Sequence, residues 1–270
     1  MKAKIQEKTS LLEVLAILSP DSSKNTLKGW IEQGRVSIDD VRVSSPRQEV
    51  LPGQEVKVGP KASFSEHGIK ILYEDRYLVV IDKPDRLLSV ASLMENEKTV
   101  HAILKRRLKK MVYPVHRLDR DTSGVMLFAY TPEVGDKLKK QFAEHSIERI
   151  YFAYVEGRPP QKGTWKSYLT EDDLYFVKSS QTGKLAVTHY EVMEEKDGIS
   201  LIKFKLETGR KNQIRVHASE AGYPVLGDVK YGGQRRKRLY LHAHILGFQH
   251  PILRKQMQFV SPLPSDFVRS

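Results

Sequence analysis

The stretch HRLDRDTSG, residues 116–124, decides how this chain is interpreted. Two carboxylates, two guanidinium groups and two hydroxyls stand within nine residues, between the apolar approach at 112–115 and an apolar run at 125–129. Such a density of polar groups at the entrance of a predicted strand is typical of an active-site loop carried by a rigid scaffold. From the residues alone, a surface turn with local ion pairs explains the stretch equally well.

A second polar segment, TGRKNQIRVH, occupies residues 208–217. Thr208 ends a predicted strand, Gly209 permits a tight turn, and a helix is predicted to begin near Lys211. The free N–H groups of a helix N-terminus, together with clustered cations, suit a phosphate group. A helix with a basic, solvated face remains the alternative.

The composition narrows the classes of function. The chain has 270 residues, and 45 Lys and Arg against 33 Asp and Glu give a formal charge of +12, which favours a polyanionic partner such as nucleic acid. The absence of cysteine excludes disulfides, Cys-ligated zinc, iron–sulfur clusters and thiol nucleophiles. Residues 1–10 lack the apolar core of a signal peptide, and no apolar run approaches ~20 residues. The sequence therefore predicts a cytoplasmic protein with no membrane contact.

The chain is predicted to contain two domains. Residues 1–59 form the first, residues 60–68 gather Gly, Pro and Ser as a linker does, and residues 69–270 form the second. In the first domain, leucines at helical spacing predict a helix that Pro20 ends. Ser22 or Ser23 can cap a second helix that runs to Gly34, and short alternating strands follow at 36–38, 41–43 and 56–58.

The second domain is predicted to be rich in strands. Amphipathic helices are predicted at 97–110 and from Thr131-Pro132, which supplies a cap and a proline at the first helical position. Strands are predicted at 78–81, 124–130, 149–156, 186–193, 200–207, 239–245 and 256–260. Many strands with few helices between them indicate an α+β fold, with a mixed, largely antiparallel central sheet and flanking helices.

Four motifs together resemble the RluA family of RNA pseudouridine synthases. In the family's order they are DKPDRL (82–87), HRLDRDTSG (116–124), RIYFAYVEG (149–157) and TGRKNQIRVH (208–217). The resemblance runs from about Ile69 to Phe259, and the nine-residue signature at 116–124 is highly specific. The first domain resembles the S4 RNA-binding domain in its helices, in GRVSI (34–38) and in LPGQEV (51–56).

This resemblance implies a chemistry and a set of site residues. Pseudouridine synthases break the uridine N–C1′ bond, rotate the base and rejoin it through C5 without a cofactor. In the family the signature aspartate is the nucleophile, which is Asp119 here, and Arg215 is implied as the cation that keeps it ionised. Tyr151 is implied to stack on the target base, where core packing is its alternative. The residues implied in substrate binding are Arg117, Arg210, Ile214 and Lys83.

The implied partner is ribosomal or transfer RNA, bound by a monomer that needs no protein partner. Two rival functions remain open at this point. One is a non-enzymatic RNA-binding or ribosome-assembly protein that retains the fold, and the other is an RNA glycosidase that releases the base. Intact Asp119, Tyr151 and Arg215 argue against the first rival, and the products would distinguish the second.

Several positions depart from the family pattern. Arg86 stands where the family usually has glycine, which predicts a differently shaped loop. Asn212 and Tyr223 each replace a frequent histidine, and Asp39-Asp40 replaces Asn-Gly in the first domain. Asp119, Tyr151 and Arg215 themselves match the family pattern, so activity is expected to be retained.

Two further groups of side chains could bind a ligand. His242 and His244 share a predicted strand face, but no third ligand accompanies them, so no metal site is predicted. The basic run at 235–238 and the basic helix at 97–110 are predicted to contact RNA phosphates.

Overall fold

A computed structural model describes residues 2–20, 22–32, 36–39, 41–43, 45–46, 48–58, 68–91 and 99–267. The chain divides into two compact units, Met1–Ser65 and Glu66–Ser270. The predicted linker falls almost entirely on residues 59–67, which lie outside the described ranges.

The first unit combines two helices with two small sheets. Its elements are β1 (Lys2–Lys4), β2 (Thr9–Ser10), α1 (Leu11–Leu18), α2 (Lys24–Glu32), β3 (Val36–Ile38), β4 (Val41–Arg42), β5 (Glu49–Val50) and β6 (Glu55–Val58). One sheet has the order β1-β6-β3-β4, and β2 pairs with β5. Ser10 and Glu13 form a reciprocal capping box on α1, while Ser23 accepts the Thr26 N–H and so caps α2. The predicted end of α2 at Gly34 lies outside the described residues.

The core of the first unit lies between its helices and its four-stranded sheet. The buried apolar side chains come from the predicted helical and alternating positions: Leu11, Val14, Leu15, Leu27, Ile31, Val36, Ile38, Val50, Val56 and Val58. Asp39 ends β3 with a φ of 49°, and its carboxylate accepts the Glu55 N–H at 2.8 Å. Asp39 therefore adopts the left-handed turn conformation that asparagine and glycine favour.

The second unit is built on one large sheet. Its elements are β7 (Lys70–Glu74), β8 (Leu78–Lys83), α3 (Val100–Leu108), β9 (Tyr113–Pro114), β10 (Ser123–Ala129), α4 (Pro132–Ala143), β11 (Glu148–Glu156), β12 (Lys162–Glu171), β13 (Val177–Ser180), β14 (Lys184–Lys196), β15 (Ile199–Leu206), α5 (Gln213–Glu220), a 3-10 turn (Val229–Tyr231), β16 (Leu241–Gln249) and β17 (Gln256–Val260). The strand order is β13-β12-β14-β15-β11-β16-β10-β8-β7, with β17 on β16 and β9 on β10. Only the β10–β16 pair is parallel among the pairs in the described residues. The predicted α+β class and largely antiparallel sheet are confirmed.

The starts of α3 and α4, and the failure to predict β12, each have a simple physical explanation. Thr99 caps α3 and Thr131 caps α4, where Pro132 takes the first helical position as predicted. The strand β12 was not predicted because it is mostly solvated, with a single buried residue, Leu169, in ten. Its sequence therefore lacks the apolar alternation that marks a half-buried strand.

The parallel contact between β10 and β16 sets the position of residues 116–124. All seven residues of β10 are buried, and Ser123 and Gly124 lie opposite His242 and Ala243. Gly124 has a φ of 120°, and a Cβ there would overlap the Ala243 backbone. The glycine that ends the signature therefore permits this close approach of two strands. None of the helices in the described ranges has the length and apolar character needed to cross a membrane.

Candidate active site

The loop before β10, the middle of β11 and the segment that leads into α5 form most of one cavity, which the end of β15 and the start of β16 complete. Its walls are Arg117, Leu118, Asp119, Thr122, Tyr151, Leu206, Arg210, Asn212, Gln213, Ile214, Arg215 and Leu241. Six of the seven site residues predicted from the sequence are in this set. Lys83 is the exception.

Contacts from Asn212 and Arg215 hold the Asp119 carboxylate through one of its two oxygens. Its Oδ2 accepts a 2.5 Å hydrogen bond from Asn212 Nδ2 and lies 3.4 Å from Arg215 Nη1. Among the described residues, no side chain or backbone group donates a hydrogen bond to Oδ1. The side chain is 21% exposed. One oxygen is therefore anchored and the other is available to react.

Arg215 is fixed mainly by a residue that the sequence analysis gave no role. Its Nε and Nη2 donate to the two carboxylate oxygens of Asp228, each at 2.7 Å, and the Asp228 side chain is fully buried. Burial alone would lower the pKa of Arg215, but Asp228 and then Asp119 reverse this and raise it above its ordinary value. Arg215 is therefore a permanent cation, with Asp228 as its principal partner and Asp119 as its second.

Asn212 connects this site to a buried tyrosine. The residue has a φ of 54°, a left-handed conformation that asparagine adopts more readily than most residues. Its Oδ1 accepts a hydrogen bond from the Tyr231 hydroxyl at 3.2 Å, which fixes the amide so that Nδ2 faces Asp119. The sequence marked Asn212 only as a departure from histidine. The signal that could have found it is its place within the most polar segment after the signature.

Tyr151 and Ile214 provide two less polar walls of the cavity. Tyr151 stands on β11 beside Phe204 of β15, next to a bulge in the pairing with β16. Burial, opposed by Arg149, raises the pKa of Tyr151 to about 12, so its hydroxyl keeps its proton at neutral pH. Ile214 also belongs to the apolar core under α5. The same side chain therefore packs in the core and lines the cavity.

Arg117 and Arg210, both implied in substrate binding, differ in exposure and in hydrogen bonding. Arg117 is exposed at the cavity. Arg210 is half-buried, and its Nε donates to the Leu185 carbonyl at 2.9 Å, which fixes the guanidinium at the edge of the site.

Lys83 donates a hydrogen bond to the backbone of the loop before β10 and does not line the cavity. It is completely buried, and its ammonium group donates to the carbonyl oxygens of Pro84, Leu87 and Arg120 at 2.8, 2.8 and 2.9 Å. The prediction that Lys83 contacts substrate is therefore corrected. Its long side chain instead ties the 82–87 motif to the backbone that follows Asp119.

Two more side chains fix the same loop. Ser89 Oγ donates to the Leu118 carbonyl at 2.6 Å and accepts the Leu118 N–H at 3.1 Å. His116 Nε2 accepts the Leu127 N–H at 3.0 Å, and burial lowers the pKa of His116 to about 3. His116 is therefore neutral and structural, which explains a histidine three residues before Asp119.

Replacing Lys83 with methionine should change how stability depends on pH. Burial lowers the pKa of Lys83 to about 7 although Asp121, Asp85 and Asp119 oppose it. In the unfolded chain a lysine pKa is about 10.4, so between these values the unfolded state binds more protons and wild-type stability rises with pH. Methionine does not titrate. The free energy of unfolding of wild type minus that of Lys83→Met should therefore increase by about 1 kcal/mol per pH unit between pH 7.5 and 9.5.

Urea unfolding at several pH values measures this difference. A gap between the two proteins that is independent of pH would show that the three carbonyls keep Lys83 protonated throughout.

The remaining predicted groups take structural positions. Arg86 has a φ of 59°, so the backbone there has the conformation that glycine favours. Arg238 is buried and donates to Ser123 Oγ at 2.5 Å and to Asp266 Oδ1 at 2.9 Å, which corrects its assignment to RNA phosphates. The two ring nitrogens of His242 contact Ser123 Oγ and the Ser261 carbonyl.

Comparison with known proteins decides the family. Residues 77–220 match the model of a family described as RNA pseudouridylate synthase, and residues 10–56 match the S4 domain. The chain belongs to the RNA pseudouridine synthase family. It is therefore an isomerase that carries an N-terminal S4 domain. Nothing in the comparisons favours a non-enzymatic protein that retains the fold.

Relatives of this pseudouridine synthase are similar over nearly its full length. Two proteins named ribosomal large subunit pseudouridine synthase D, from Haemophilus influenzae and Pseudomonas aeruginosa, are each 35% identical to it over 95% of the chain. The matches cover 88% and 89% of those proteins. A solved human structure, RNA pseudouridylate synthase domain containing 4, has a TM-score of 0.62 at 27% identity, covering 73% of this chain and 89% of that one.

Proposed function

We propose that this enzyme converts uridines of large-subunit ribosomal RNA into pseudouridine, with Asp119 as the nucleophile. The observation that carries the proposal is the Asp119 carboxylate, anchored through Oδ2 and unanchored at Oδ1, in a cavity shared with Tyr151 and Arg215. The relatives named for the large ribosomal subunit and the formal charge of +12 support this substrate. We further propose that the enzyme acts as a monomer in the cytoplasm.

The reaction needs an ionised carboxylate. Breaking the N1–C1′ bond and forming the C5–C1′ bond adds no atoms to the nucleotide, so the protein has only to attack, hold the detached uracil and move the C5 proton. Arg215 places its positive charge 3.4 Å from Asp119, and the Asn212 amide donates to the same oxygen. Both interactions hold Oδ2 in place and leave Oδ1 free of them. Attack by Oδ1 on the ribose or on the base would leave this role of Asp119 unchanged.

The walls of the cavity suit a detached base. Tyr151 offers an aromatic ring on which uracil can stack, and Ile214 offers an apolar contact. Because the pKa of Tyr151 is about 12, its hydroxyl must lose a proton during the reaction before it can accept the one from C5. Arg117 and Arg210 stand at the edge of the cavity where the phosphates that flank the uridine would lie.

The products of the purified enzyme test the proposal. Ribosomal and transfer RNA transcribed with 5-tritiated uridine are incubated separately with the protein, and tritium release and nucleoside composition are measured. We expect tritium release and pseudouridine in ribosomal RNA. Free uracil would instead identify an RNA glycosidase, and pseudouridine in transfer RNA alone would overturn the substrate assignment.

The S4 domain should contribute phosphate contacts. Lys24 and Lys28 are exposed one turn apart on α2. If both contact phosphates, Lys24→Gln/Lys28→Gln should weaken binding to ribosomal RNA and reduce the slope of log affinity against log salt by about 1.5. Lys8→Gln is the matched control, because Lys8 lies in the same domain and pairs with Glu49 at 2.9 Å. A slope equal to that of wild type would show that this face of α2 does not contact RNA.

A further inference from the structure

Within the described residues, Arg149 on β11 is a buried arginine that no carboxylate pairs with. The residue is only 7% exposed. Across the part of the chain that the structure describes, its Nε is the only buried side-chain nitrogen or oxygen without a hydrogen-bond partner. Burying a charge with no opposite charge beside it is costly, so an unpaired guanidinium in this position calls for a use of its charge.

The surroundings of Arg149 fix its guanidinium group in place. Nη2 donates to the Glu207 carbonyl at 2.8 Å, and Cζ lies 5.8 Å from the centre of the Phe142 ring. Gly209 leaves room for the group, because a Cβ at that residue would overlap Nη1. Arg149 is not among the walls of the active-site cavity. Its charge is therefore held inside the protein, close to the cavity but out of contact with a substrate.

The nearest part of the catalytic machinery along the strand is Tyr151. Side chains alternate between the two faces of a strand, and residues 150–156 of β11 pair with β15 in regular register. Arg149 and Tyr151 are two residues apart and therefore lie on the same face of the sheet. Tyr151 lines the cavity, so the charge of Arg149 can reach the reaction through this neighbour.

The charges around Tyr151 act on it in opposite directions. Arg149 lowers the pKa of Tyr151 and is second only to burial in its effect, whereas Asp119 raises this pKa. In turn, the phenolate form of Tyr151 raises the pKa of Arg149, which burial and Arg210 lower. An arginine stays protonated at neutral pH in any case. His116 is neutral there, since its pKa is about 3. The charged side chains on the cavity walls are Arg117, Asp119, Arg210 and Arg215.

The proton balance of the reaction calls for a phenolate. Pseudouridine carries a proton on N1 that uridine lacks, and it has lost the proton on C5. The balance closes if Tyr151 donates its proton to N1 after the N1–C1′ bond has broken and accepts the C5 proton after the C5–C1′ bond has formed. The electron pair of the broken C5–H bond then restores the C5–C6 double bond. Between these two transfers Tyr151 is negatively charged.

We propose that Arg149 is a positioning residue of this reaction, whose buried positive charge stabilises the phenolate of Tyr151 between the two proton transfers. The inference rests on the proposed function, because it requires a uridine base that exchanges these protons. Arg149 does not touch the base and acts only through Tyr151. Because protein rather than water surrounds the guanidinium group, its charge remains effective over the spacing of about 7 Å between alternate residues of a strand.

Fluorine NMR measures the pKa of the phenol at position 151 without RNA and without turnover. Fluorotyrosine replaces Tyr151 in the full-length protein, because its phenol is more acidic than that of tyrosine and titrates before alkali unfolds the chain. The protein is prepared with Arg149 and as Arg149→Lys, Arg149→Met and Arg149→Gln. Methionine keeps the apolar stem, and glutamine keeps a donor for the Glu207 carbonyl. A folding defect in one neutral variant therefore leaves the other to give the answer.

The pKa of this phenol should be about one to two units higher in the two neutral variants than with Arg149, as expected for the loss of one charge at this spacing. Arg149→Lys should keep it near the wild-type value. Lys205→Met is the matched control, because Lys205 is exposed, pairs with Ile150 and so faces away from Tyr151. It should leave the pKa unchanged. Equal pKa values with Arg149 and with the neutral variants overturn the proposal, and so does a lysine variant that shifts as far as methionine.

The isotope effect at C5 tests whether the reaction uses this phenolate. Single-turnover rates of pseudouridine formation are measured on ribosomal RNA that carries hydrogen or deuterium at C5 of its uridines. In Arg149→Met the rate should fall about tenfold, which corresponds to one pKa unit, and the isotope effect should exceed that of wild type. The reason is that removal of the C5 proton becomes slower relative to the other steps.

A purely structural role of Arg149 gives a different result. Misplaced side chains would slow binding and bond breakage as well, so a lower rate with an unchanged isotope effect overturns the proposal. Wild-type protein that forms no pseudouridine in this RNA contradicts the proposed function itself. The fluorine NMR titration judges Arg149 and Tyr151 in either case, because it needs no substrate.

Discussion

Replacing Asp119 with asparagine should lower the single-turnover rate of pseudouridine formation by more than about a thousandfold, as loss of a nucleophile does in other enzymes. Asparagine keeps the shape of the side chain, and its oxygen can still accept the hydrogen bond from Asn212 and face Arg215. The substitution therefore removes the nucleophilic charge without removing the contacts that place it. RNA affinity and the unfolding temperature should stay near those of wild type.

Asp121→Asn is the matched control for that variant. Asp121 lies in the same loop and is exposed, and it is not among the walls of the cavity. It should retain most of the wild-type rate. An Asp119→Asn enzyme within about tenfold of wild type would remove Asp119 from the mechanism.

Replacing Arg215 with methionine should lower the free energy of unfolding of the catalytic unit by about 3–5 kcal/mol. The reason is Asp228, whose fully buried carboxylate would lose both hydrogen bonds from the guanidinium group. The free energy of unfolding of Arg215→Lys should lie between those of wild type and Arg215→Met. The reason is that an ammonium group cannot form two parallel hydrogen bonds with a carboxylate. Loss of activity in Arg215→Met would then reflect lost structure as well as the lost charge beside Asp119.

Urea unfolding followed by fluorescence measures this effect. The chain has two tryptophans, and Trp165 packs against Tyr190 in the catalytic unit. A Trp30→Phe background therefore leaves one reporter for that unit. The double variant Arg215→Met/Asp228→Leu removes both charges and should recover much of the lost stability. A loss below about 1 kcal/mol in Arg215→Met would contradict the paired arrangement, since an orphaned buried charge costs more than that.

The sequence predicted the members of the cavity better than their connections. The resemblance to the RluA family implied that Arg215 pairs with Asp119, and the structure sets Arg215 Nη1 3.4 Å from Asp119 Oδ2. Asp228 was not predicted as a site residue, because a buried ion pair between a helix and a later turn produces no periodic pattern in the sequence.

Lys83 shows a different limit of sequence reasoning. The family resemblance implied that Lys83 binds substrate, and lysine is seldom fully buried. Three backbone carbonyls accept from its ammonium group, and carbonyls leave no trace in a sequence. The strands repeat this contrast: buried β10 was predicted from its apolar run, whereas solvated β12 was missed.

Mapping pseudouridine at single-nucleotide resolution in large-subunit ribosomal RNA tests the central claim most directly. The RNA is taken from cells that carry the gene, from cells that lack it, and from cells that lack it but express either wild-type protein or Asp119→Asn. One or more pseudouridines should disappear with the gene, return with the wild-type protein and stay absent with Asp119→Asn. The account is contradicted if every large-subunit pseudouridine persists without the gene, or if Asp119→Asn restores the lost ones.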